Sequence, residues 1–316
     1  MTVPVVRGLI NQNLKHKISI LTNQNLFTLF REFNNINLVK FDKNDRHKGL
    51  IGLFNLYYDV KRLKVDCIID LHNVIRTNFL KLSLQIPFYQ IDKGRSEKRK
   101  LINGKIFKQL KSTHQRYVDV FLNIGICFQP LTKENVPKDI SSLNLVEKNS
   151  NRKLIGVAPF AAHQSKVYPI DLMKKVLIDL SKKHTIVLFG GGEYEKIKLD
   201  KLAILSDHII NITNSYSMDK ELDIISNLNI MVSMDSANGH LAAMLGVQVI
   251  TLWGLTHPFG GFKPFSQELS NSLYLDKQYF PKIPTSIYGN KIPKGYENAF
   301  RSIKPEQVIN KVEELI

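Results

Sequence analysis

The sequence predicts an α/β protein made of two doubly wound, Rossmann-like domains that face a central cleft. Short apolar runs rich in β-branched residues alternate with stretches of helical periodicity in both halves of the 316-residue chain. This alternation is typical of parallel sheets covered by helices on both faces. The polar segment 132–151 has little apolar periodicity and predicts a linker. We therefore predict a first domain over 1–145 and a second over 146–316, whose last helix could pack back on the first domain.

In the first half, short apolar runs predict strands, and apolar residues spaced three and four apart predict helices. The predicted strands are Lys17–Thr22, Ile36–Phe41, Asp66–His72 and Ile86–Ile91. The predicted helices are Thr2–Asn13, Asn25–Phe33, Leu50–Leu63, Ile75–Leu84 and Thr113–Ile124. Pro4 suits the first turn of a helix, so the sequence opens on a helix where a βα unit would open on a strand.

The second half shows the same alternation with stronger strand signals. Its predicted strands are Lys153–Ala158, His184–Phe189, His208–Ile212, Ile230–Met234 and Gln248–Trp253. Its predicted helices are Pro169–Lys182, Glu193–Leu205, Asp219–Ser226, Asn238–Leu245 and Pro305–Leu315. Ligands of doubly wound folds bind outside the carboxyl ends of the strands, so the loops after these strands are the places to look for a site.

The net charge of +16 is spread unevenly along the chain. Residues 1–150 carry 25 Lys and Arg against 12 Asp and Glu, and the segment 81–116 carries ten basic residues against Asp92 and Glu97. A basic half indicates an anionic partner such as nucleic acid, an acidic membrane surface or an acidic glycolipid. For any single lysine, a solvated surface position is the simpler interpretation.

Several functions are disfavoured by what the sequence lacks. Cys67 and Cys127 both lie in apolar contexts, which suggests neither a disulfide framework nor a zinc site. There is no P-loop, GxGxxG, HExxH, GxSxG or Asp-x-Asp pattern, so we predict no bound metal or cofactor. No apolar run approaches bilayer-spanning length and no signal-peptide pattern is present, so cytoplasmic residence is expected.

A strand-to-helix junction in the second half predicts an anion-binding site. The apolar run Ile230–Met234 stops at Asp235 and Ser236, which are residue types that cap helix N-termini. A helix N-terminus presents unpaired N–H groups and a partial positive charge. His240 lies four residues after Ser236, on the same helix face. Taken alone, the junction fits an ordinary capped helix equally well.

Further loops at the same predicted sheet edge favour a phosphate-bearing ligand. The stretch 158–166 combines small residues with Lys166, whose mobile positive charge suits a phosphate. The loop 253–258 follows the last predicted strand, and Trp253 at its start is expected to pack in the core. These loops should converge, because the carboxyl ends of parallel strands meet at one edge.

A glycine-rich turn follows the second strand of this half. Gly190, Gly191 and Gly192 permit positive φ angles and close approach of a ligand to the backbone. Glu193 then serves as an acidic residue in the first helical turn or reaches a sugar hydroxyl. Such turns are common in α/β proteins, so this signal gains weight only from its neighbours.

Together these motifs resemble glycosyltransferase family nine, the ADP-heptose:lipopolysaccharide heptosyltransferases, which have the GT-B fold. Family members typically show Asp-Thr/Ser-Gly followed three residues later by His, and here Ala237 stands in place of the Gly. The resemblance covers nearly the whole chain. The matching residues of the second half are Ala158-Pro159, Lys166, Pro169, Gly190–Glu193, Met234-Asp235-Ser236-Ala237 and His240. Those of the first half are Asp70-Leu71-His72-Asn73, Arg76, Lys93-Gly94-Arg95 and Arg116-Tyr117.

The resemblance implies an inverting, metal-independent glycosyltransferase that moves heptose from ADP-heptose to a lipopolysaccharide inner-core acceptor. Its partners would be a nucleotide-sugar donor and an anionic glycolipid, with peripheral contact at the inner membrane as an option. The donor residues that it implies are Lys166, Asp235, Ser236, Ala237, His240, Phe160, Ala161, Gly191, Gly192 and Glu193. The acceptor residues are Arg76, Lys93, Arg95 and Arg116, with Lys98 and Arg99 in the same basic segment.

One expected residue has no counterpart in the sequence. Family members carry a strand and a Gly-Asp loop just before a segment resembling Met1–Pro4, and that Asp is regarded as the general base. The expected catalytic Asp would therefore lie upstream of Met1, and nothing singles out Asp70, His72 or Asp92 as a replacement. On this interpretation, the chain as it stands retains more of its donor binding than of its catalytic activity.

Two other functions stay open at this point. The chain could be a catalytically impaired relative that binds nucleotide without transferring a sugar. It could also be a basic nucleic-acid-binding protein, although no recognised binding motif or interleaving of aromatic and basic residues supports that function.

Overall fold

The computed structural model describes residues 1–12, 15–134, 138, 140 and 151–316. The chain folds into two units, each of which packs mainly within itself. The first unit consists of Thr2–Lys93 with Thr113–Leu131, and the second of Gly94–Ser112 with Thr132–Ile316. The segment 94–112 therefore groups with the second half of the chain. The boundary predicted between residues 145 and 146 lies outside the described residues and stays a prediction.

The first unit alternates helices and short parallel strands, as its sequence predicts. Its helices are α1 (Val3–Ile10), α2 (Gly49–Arg62), α3 (Ile75–Ser83) and α5 (Thr113–Leu122), together with a short 3₁₀ helix over Gln24–Phe30. Its strands are β1 (Ile18–Thr22), β2 (Ile36–Lys40), β3 (Ile68–Asp70) and β4 (Phe88–Gln90).

The strands of the first unit pair two by two, always in parallel. β1 pairs with β2 from Ile18 opposite Ile36 to Thr22 opposite Lys40, and β3 pairs with β4. A doubly wound domain has one continuous sheet, whereas the described residues of this unit form two separate two-stranded sheets. The sheets share a core, because Ile18 of β1 and Ile69 of β3 pack against the same apolar cluster.

Apolar clusters stabilise the first unit. One joins α1 to α5 and the segment after it, and another joins α2 to α3. Burial of such side chains is the main favourable term in folding, at about 25 cal/mol per Å² of apolar surface. The first cluster contains Val5, Leu9, Val118, Phe121 and Phe128. The second contains Leu56, Val60, Leu80 and Leu84.

The second unit is built on one six-stranded parallel sheet. Its strands are β5 (Leu154–Ala158), β6 (Thr185–Leu188), β7 (Ile209–Asn211), β8 (Ile230–Met234), β9 (Gln248–Trp253) and β10 (Ser272–Tyr274). Its helices are α4 (Arg95–Ile102), α6 (Ile170–Ser181), α7 (Gly192–Ala203), α8 (Met218–Ile225), α9 (Ala237–Met244) and α10 (Pro305–Leu315).

The strand order of this sheet is β10-β9-β8-β5-β6-β7. The chain therefore winds outward from β5 to β7 on one side and from β8 to β10 on the other. β5 and β8 are hydrogen-bonded neighbours, from Ile155 opposite Ile230 to Ala158 opposite Ser233. The boundary between them is the topological switch point, where doubly wound folds bind ligands.

Helices cover the second sheet on both faces, which explains its continuous apolar strands. Every residue of β5, β6 and β8 is buried. Trp253, at the end of β9, is 1% exposed, so its predicted core position is confirmed. The last helix, α10, packs on α6 and β8 of its own unit.

Three elements depart from the sequence predictions. The sequence does not predict α4, because apolar residues occur only at its end and leave no helical stripe. β10 is only three residues long and depends on pairing with β9. The predicted helix Asn25–Phe33 is a 3₁₀ helix, which starts where the Asn23 side chain accepts the N–H of Asn25 at 2.9 Å.

Among the described residues, no helix combines the length and apolar character needed to cross a bilayer.

Gly8 allows α1 to approach the segment after α5, and its replacement tests that contact. A Cβ there would overlap the carbonyl oxygen of Gln129 and lie 3.0 Å from the Phe128 ring. Ala normally stabilises a helix interior relative to Gly by about 0.5–1 kcal/mol. We expect Gly8→Ala to lower the free energy of unfolding instead, by about 1–3 kcal/mol in urea denaturation. The exposed Leu122→Ala serves as control and should stay within about 0.5 kcal/mol.

Candidate functional site

The switch point of the second sheet brings two of the predicted loops together. Lys166 lies in the loop after β5, and Asp235 follows β8 directly. The Lys166 ammonium lies 2.9 Å from Oδ2 of Asp235. Both side chains are largely buried, at 13% and 9% exposed. The convergence predicted for these loops is therefore found.

A third loop completes this pair. Thr256, in the loop after β9, donates its hydroxyl hydrogen to Oδ2 of Asp235 at 3.1 Å and is 2% exposed. The Asp235 carboxylate thus accepts hydrogen bonds from two neighbouring loops. A lysine ammonium has three hydrogens, and its contact with Asp235 uses one of them.

The aliphatic part of Lys166 is held by a segment far along the chain. Gly289, at φ +82°, packs against it so closely that an added Cβ would overlap the Lys166 Cδ and lie 2.6 Å from its Cγ. The hydroxyl of Ser165 donates to the carbonyl of Gly289, and the carbonyl of Ser165 accepts the N–H of Leu255 at 3.0 Å. The position of Lys166 therefore depends on packing that spans more than a hundred residues.

The helix after Asp235 begins as the sequence predicts but is not capped as predicted. Ser236 occupies the N-cap position of α9, and its side chain accepts no hydrogen bond from the first turn. Its hydroxyl lies 3.1 Å from the hydroxyl of Ser233 instead. The prediction that the Ser236 side-chain oxygen caps α9 is therefore wrong. His240 lies one turn further along α9 and is half-buried.

The glycine turn and the residues next to it make hydrogen bonds within the second unit that the sequence does not predict. Gly192 has a φ of +74°, which confirms the need for glycine there. The N–H of Gly191 donates to the Glu195 carboxylate at 2.8 Å, so this amide is already bound within the turn. Glu193 accepts a hydrogen bond from the side chain of Asn214, after β7, at 2.9 Å. The turn thus joins the edges of β6 and β7.

The remaining predicted donor residues follow β5 and β8 in the chain. Phe160 and Ala161 follow β5 and pack partly against the large core cluster. The ammonium of Lys198 on α7 lies 5.8 Å from the centre of the Phe160 ring and donates to the hydroxyl of Tyr194 at 2.5 Å. Ala237, the first residue of α9, is exposed. Its small side chain leaves the start of the helix accessible.

The basic residues predicted at an acceptor site differ in their surroundings. Arg116 is 5% exposed, and its guanidinium lies 3.9 Å from the carboxylate of the exposed Asp92, so it is a buried cation rather than a surface one. Arg76 stacks over the Phe41 ring at 4.9 Å. Lys93 is half-buried. Arg95 starts α4 in the second unit and is exposed.

None of the candidate bases is distinguished by its geometry. Asp70 accepts the backbone N–H groups of His72 and Asn73, both at 2.9 Å, and the Gln90 amide at 3.1 Å, so its carboxylate stabilises a turn. His72 is exposed, and Asp92 faces Arg116.

A His–carboxylate pair in the first unit, His47 with Asp59, has a structural role. His47 accepts the N–H of Asp42 at Nδ1 (2.9 Å), and its Nε2 lies 3.0 Å from Asp59. Hydrogen bonds from Arg46, and then from His47, lower the pKa of Asp59 to about 2. Both ring nitrogens of His47 are therefore occupied.

Metal-site geometry is not found in the part of the chain that the structure describes, where no three His, Cys, Asp or Glu side chains group together. Cys67 is half-buried and Cys127 exposed, and both are free thiols.

The fold and the ion pair define a class of protein. A lysine, an aspartate and a helix N-terminus at the switch point of a parallel sheet are suited to a ligand that carries phosphate. The family model for glycosyltransferase family 9 (heptosyltransferase) matches residues 54–283, so the chain belongs to that family and is a glycosyltransferase.

Relatives of known function resemble the chain over most of its length. The lipooligosaccharide heptosyltransferase 2 of Campylobacter jejuni serotype O:2 is 24% identical over 298 residues, which cover 91% of this chain and 85% of the relative. The lipopolysaccharide heptosyltransferase 1 of Campylobacter coli is 22% identical over 264 residues, covering 74% and 77%.

Solved structures share the fold. The glycosyltransferase family 9 protein of Veillonella parvula superposes with a TM-score of 0.76 at 19% identity, covering 99% of this chain and 92% of its own. The Escherichia coli ADP-heptose lipopolysaccharide heptosyltransferase II has a TM-score of 0.69 at 17% identity, covering 99% and 93%. The predicted α/β, GT-B fold class is confirmed.

Gly289 offers a test of how Lys166 is positioned. Gly289→Ala meets both a positive φ and the Lys166 side chain, whereas Gly295→Ala meets a φ of +86° with nothing within 4 Å. We expect Gly289→Ala to lower the free energy of unfolding by about 1–3 kcal/mol more than Gly295→Ala, because only the first forces a packed side chain to move. Equal losses in urea denaturation would mean that backbone strain alone matters.

Burial of His257 beside the site predicts a pH dependence. Desolvation, and then the charge of Lys277, lower the pKa of His257 to about 4, so its imidazole is neutral in the folded protein. In the unfolded chain the His257 imidazole binds a proton near pH 6.5. Burying it as the neutral form therefore costs no stability above pH 6.5, and the free energy of unfolding falls as the pH drops from 6.5 towards 4. The full loss is on the order of 3 kcal/mol.

Urea denaturation across that pH range measures the effect. His257→Asn keeps an acceptor for the Phe259 N–H, which His257 binds at 3.2 Å, and should flatten the slope between pH 6.5 and 4. An unchanged slope would contradict the assignment of the slope to His257.

Proposed function

We propose that this glycosyltransferase is an inverting, metal-independent heptosyltransferase that uses ADP-heptose and a lipopolysaccharide or lipooligosaccharide inner-core acceptor. The heptosyltransferase names of the relatives support the sugar and the acceptor class. The observation that carries the donor part of the proposal is the buried pair of Lys166 and Asp235 at the switch point.

The pair is suited to a departing nucleoside diphosphate. Sugar transfer from such a donor breaks the bond between the anomeric carbon and the diphosphate, and negative charge accumulates on the diphosphate oxygens. Asp235 orients the Lys166 ammonium, whose remaining hydrogens can reach those oxygens. A fixed cation in a water-poor position stabilises developing charge without reorganising at the moment of reaction. Because the chain itself supplies this charge, the step does not depend on a metal ion.

The start of α9 supplies a second source of positive potential. Ser236 leaves the first-turn amides of α9 without a side-chain cap. Amides in this position can donate to a phosphate, and the helix dipole adds a partial positive charge. Ala237 and His240 lie within the first turns of the same helix, where they would border the diphosphate.

The acceptor part of the proposal rests on charge. The half of the chain that contains Arg76 and Lys93 carries most of the net positive charge, and Arg95 follows directly. Inner-core oligosaccharides with phosphate or carboxylate groups would be attracted to such a surface. The buried Arg116 would act indirectly, by fixing the loop of Asp92.

Nucleotide binding by Lys166 variants tests the donor site. We expect Lys166→Ala to weaken ADP binding about ten- to a hundredfold in isothermal titration calorimetry, since hydrogen bonds to charged groups contribute about 1.5–3 kcal/mol. Lys182→Ala, which removes an exposed cation paired with Asp179, is the matched control and should bind ADP like the wild type.

Lys166→Ala leaves a buried carboxylate without its cation, so the double variant Lys166→Ala/Asp235→Asn keeps the experiment interpretable if the single variant unfolds. Unchanged ADP affinity in both would overturn the donor site. ADP binding without transfer from ADP-heptose would identify an impaired, nucleotide-binding relative. Where transfer occurs, the anomeric configuration of the product decides whether the reaction inverts.

A further inference from the structure

The first unit carries a group of large apolar side chains that are exposed to solvent. Leu50, Ile51, Phe54 and Tyr58 of α2 are 78%, 78%, 57% and 55% exposed. At 100° per residue they fall within one third of the helix circumference. The opposite side of α2 contributes Gly52, Leu56 and Val60 to the interior, so this helix is apolar on two faces.

The same surface continues onto α3. Phe79 of α3 contacts Phe54 with ring centres 5.7 Å apart in an edge-to-face arrangement. Ile75 and Leu82 lie four residues before and three residues after Phe79, on the same side of the helix, and are 85% and 87% exposed. We call these seven residues of α2 and α3 the α2–α3 apolar face.

Basic residues border this face. Residues 40–83 contain nine Lys and Arg against five Asp and no Glu. One of the five acids, Asp59, is bound by Arg46 and His47. Lys61 and Arg62 end α2 one turn after Tyr58, and Lys48 precedes its first residue. An exposed apolar surface with a basic border is typical of helices that lie in the interface of an anionic bilayer.

We propose that the α2–α3 apolar face docks on the surface of a bilayer that contains anionic phospholipid. Leu50, Ile51, Phe54 and Tyr58 would enter the boundary between head groups and acyl chains, and the bordering cations would pair with lipid phosphates. Charge complementarity favours a bilayer over a second copy of the chain, because two such faces would bring like charges together. The inference deepens the proposed function, since a glycolipid acceptor anchored in the membrane is reached from its surface.

Vesicle sedimentation tests the surface without any acceptor or donor. The full chain is mixed with vesicles of phosphatidylethanolamine and phosphatidylglycerol, and separately with vesicles of phosphatidylcholine. We expect binding to the anionic vesicles only, weakened by added salt, and reduced at least about tenfold in Leu50→Glu/Ile51→Glu.

The matched control places the same charges on another helix. Ile197 of α7 and Ile204 at its C-cap are 56% and 84% exposed, and Ile197→Glu/Ile204→Glu should bind anionic vesicles nearly like the wild type. Equal binding by Leu50→Glu/Ile51→Glu and the control, or no binding by the wild type, overturns the proposal. A change from dimer to monomer in Leu50→Glu/Ile51→Glu, without vesicle binding by the wild type, assigns the face to a second copy instead.

A separate readout keeps this result independent of the proposed donor site. Leu50→Glu/Ile51→Glu should bind ADP with wild-type affinity, because α2 belongs to the first unit and the proposed donor residues belong to the second. Loss of vesicle binding with intact ADP binding supports the docking surface. Absence of ADP binding in every variant would contradict the proposed function while leaving the vesicle result to stand.

Discussion

The ion pair between Lys166 and Asp235 is the interaction on which the candidate site depends. Removing a lysine and an aspartate from water costs several kcal/mol per ion, and the attraction between them returns this only when their geometry is good. Here the two atoms lie 2.9 Å apart, with Thr256 as a further donor to the carboxylate. Such a pair is weak evidence for stability. Its location at the switch point is a stronger indication of function.

Packing around this pair explains why it stays in place. Ser165 binds the carbonyl of Gly289 and the N–H of Leu255, so the loop after β5 is fixed between two other segments. Tyr168 adds a third attachment, because its hydroxyl donates to the carbonyl of Ile303 at 2.7 Å. The ammonium of Lys166 is therefore presented by a rigid support, and it is not the mobile cation that an isolated loop would give.

The two units differ in the surfaces that they bury and expose. The second buries its strands under helices on both faces and offers a rigid sheet edge to a ligand. The first has short strands, paired two by two, and leaves apolar side chains of α2 and α3 exposed. A rigid edge suits the binding of a small charged molecule, whereas a broad apolar and basic surface suits a large partner.

The sequence by itself determined the alternation of strands and helices, the parallel pairing and the loops that meet at the second sheet edge, because periodicity and turn residues act locally. It also indicated Lys166 and Asp235. Only the tertiary structure decided that these two residues pair, that Ser236 leaves its helix uncapped, and that Thr256 and Gly289 support the site, since these contacts join segments distant in the chain. The sequence also did not show which apolar face of α2 is exposed, because periodicity marks apolar positions but does not say which of them a neighbouring element covers.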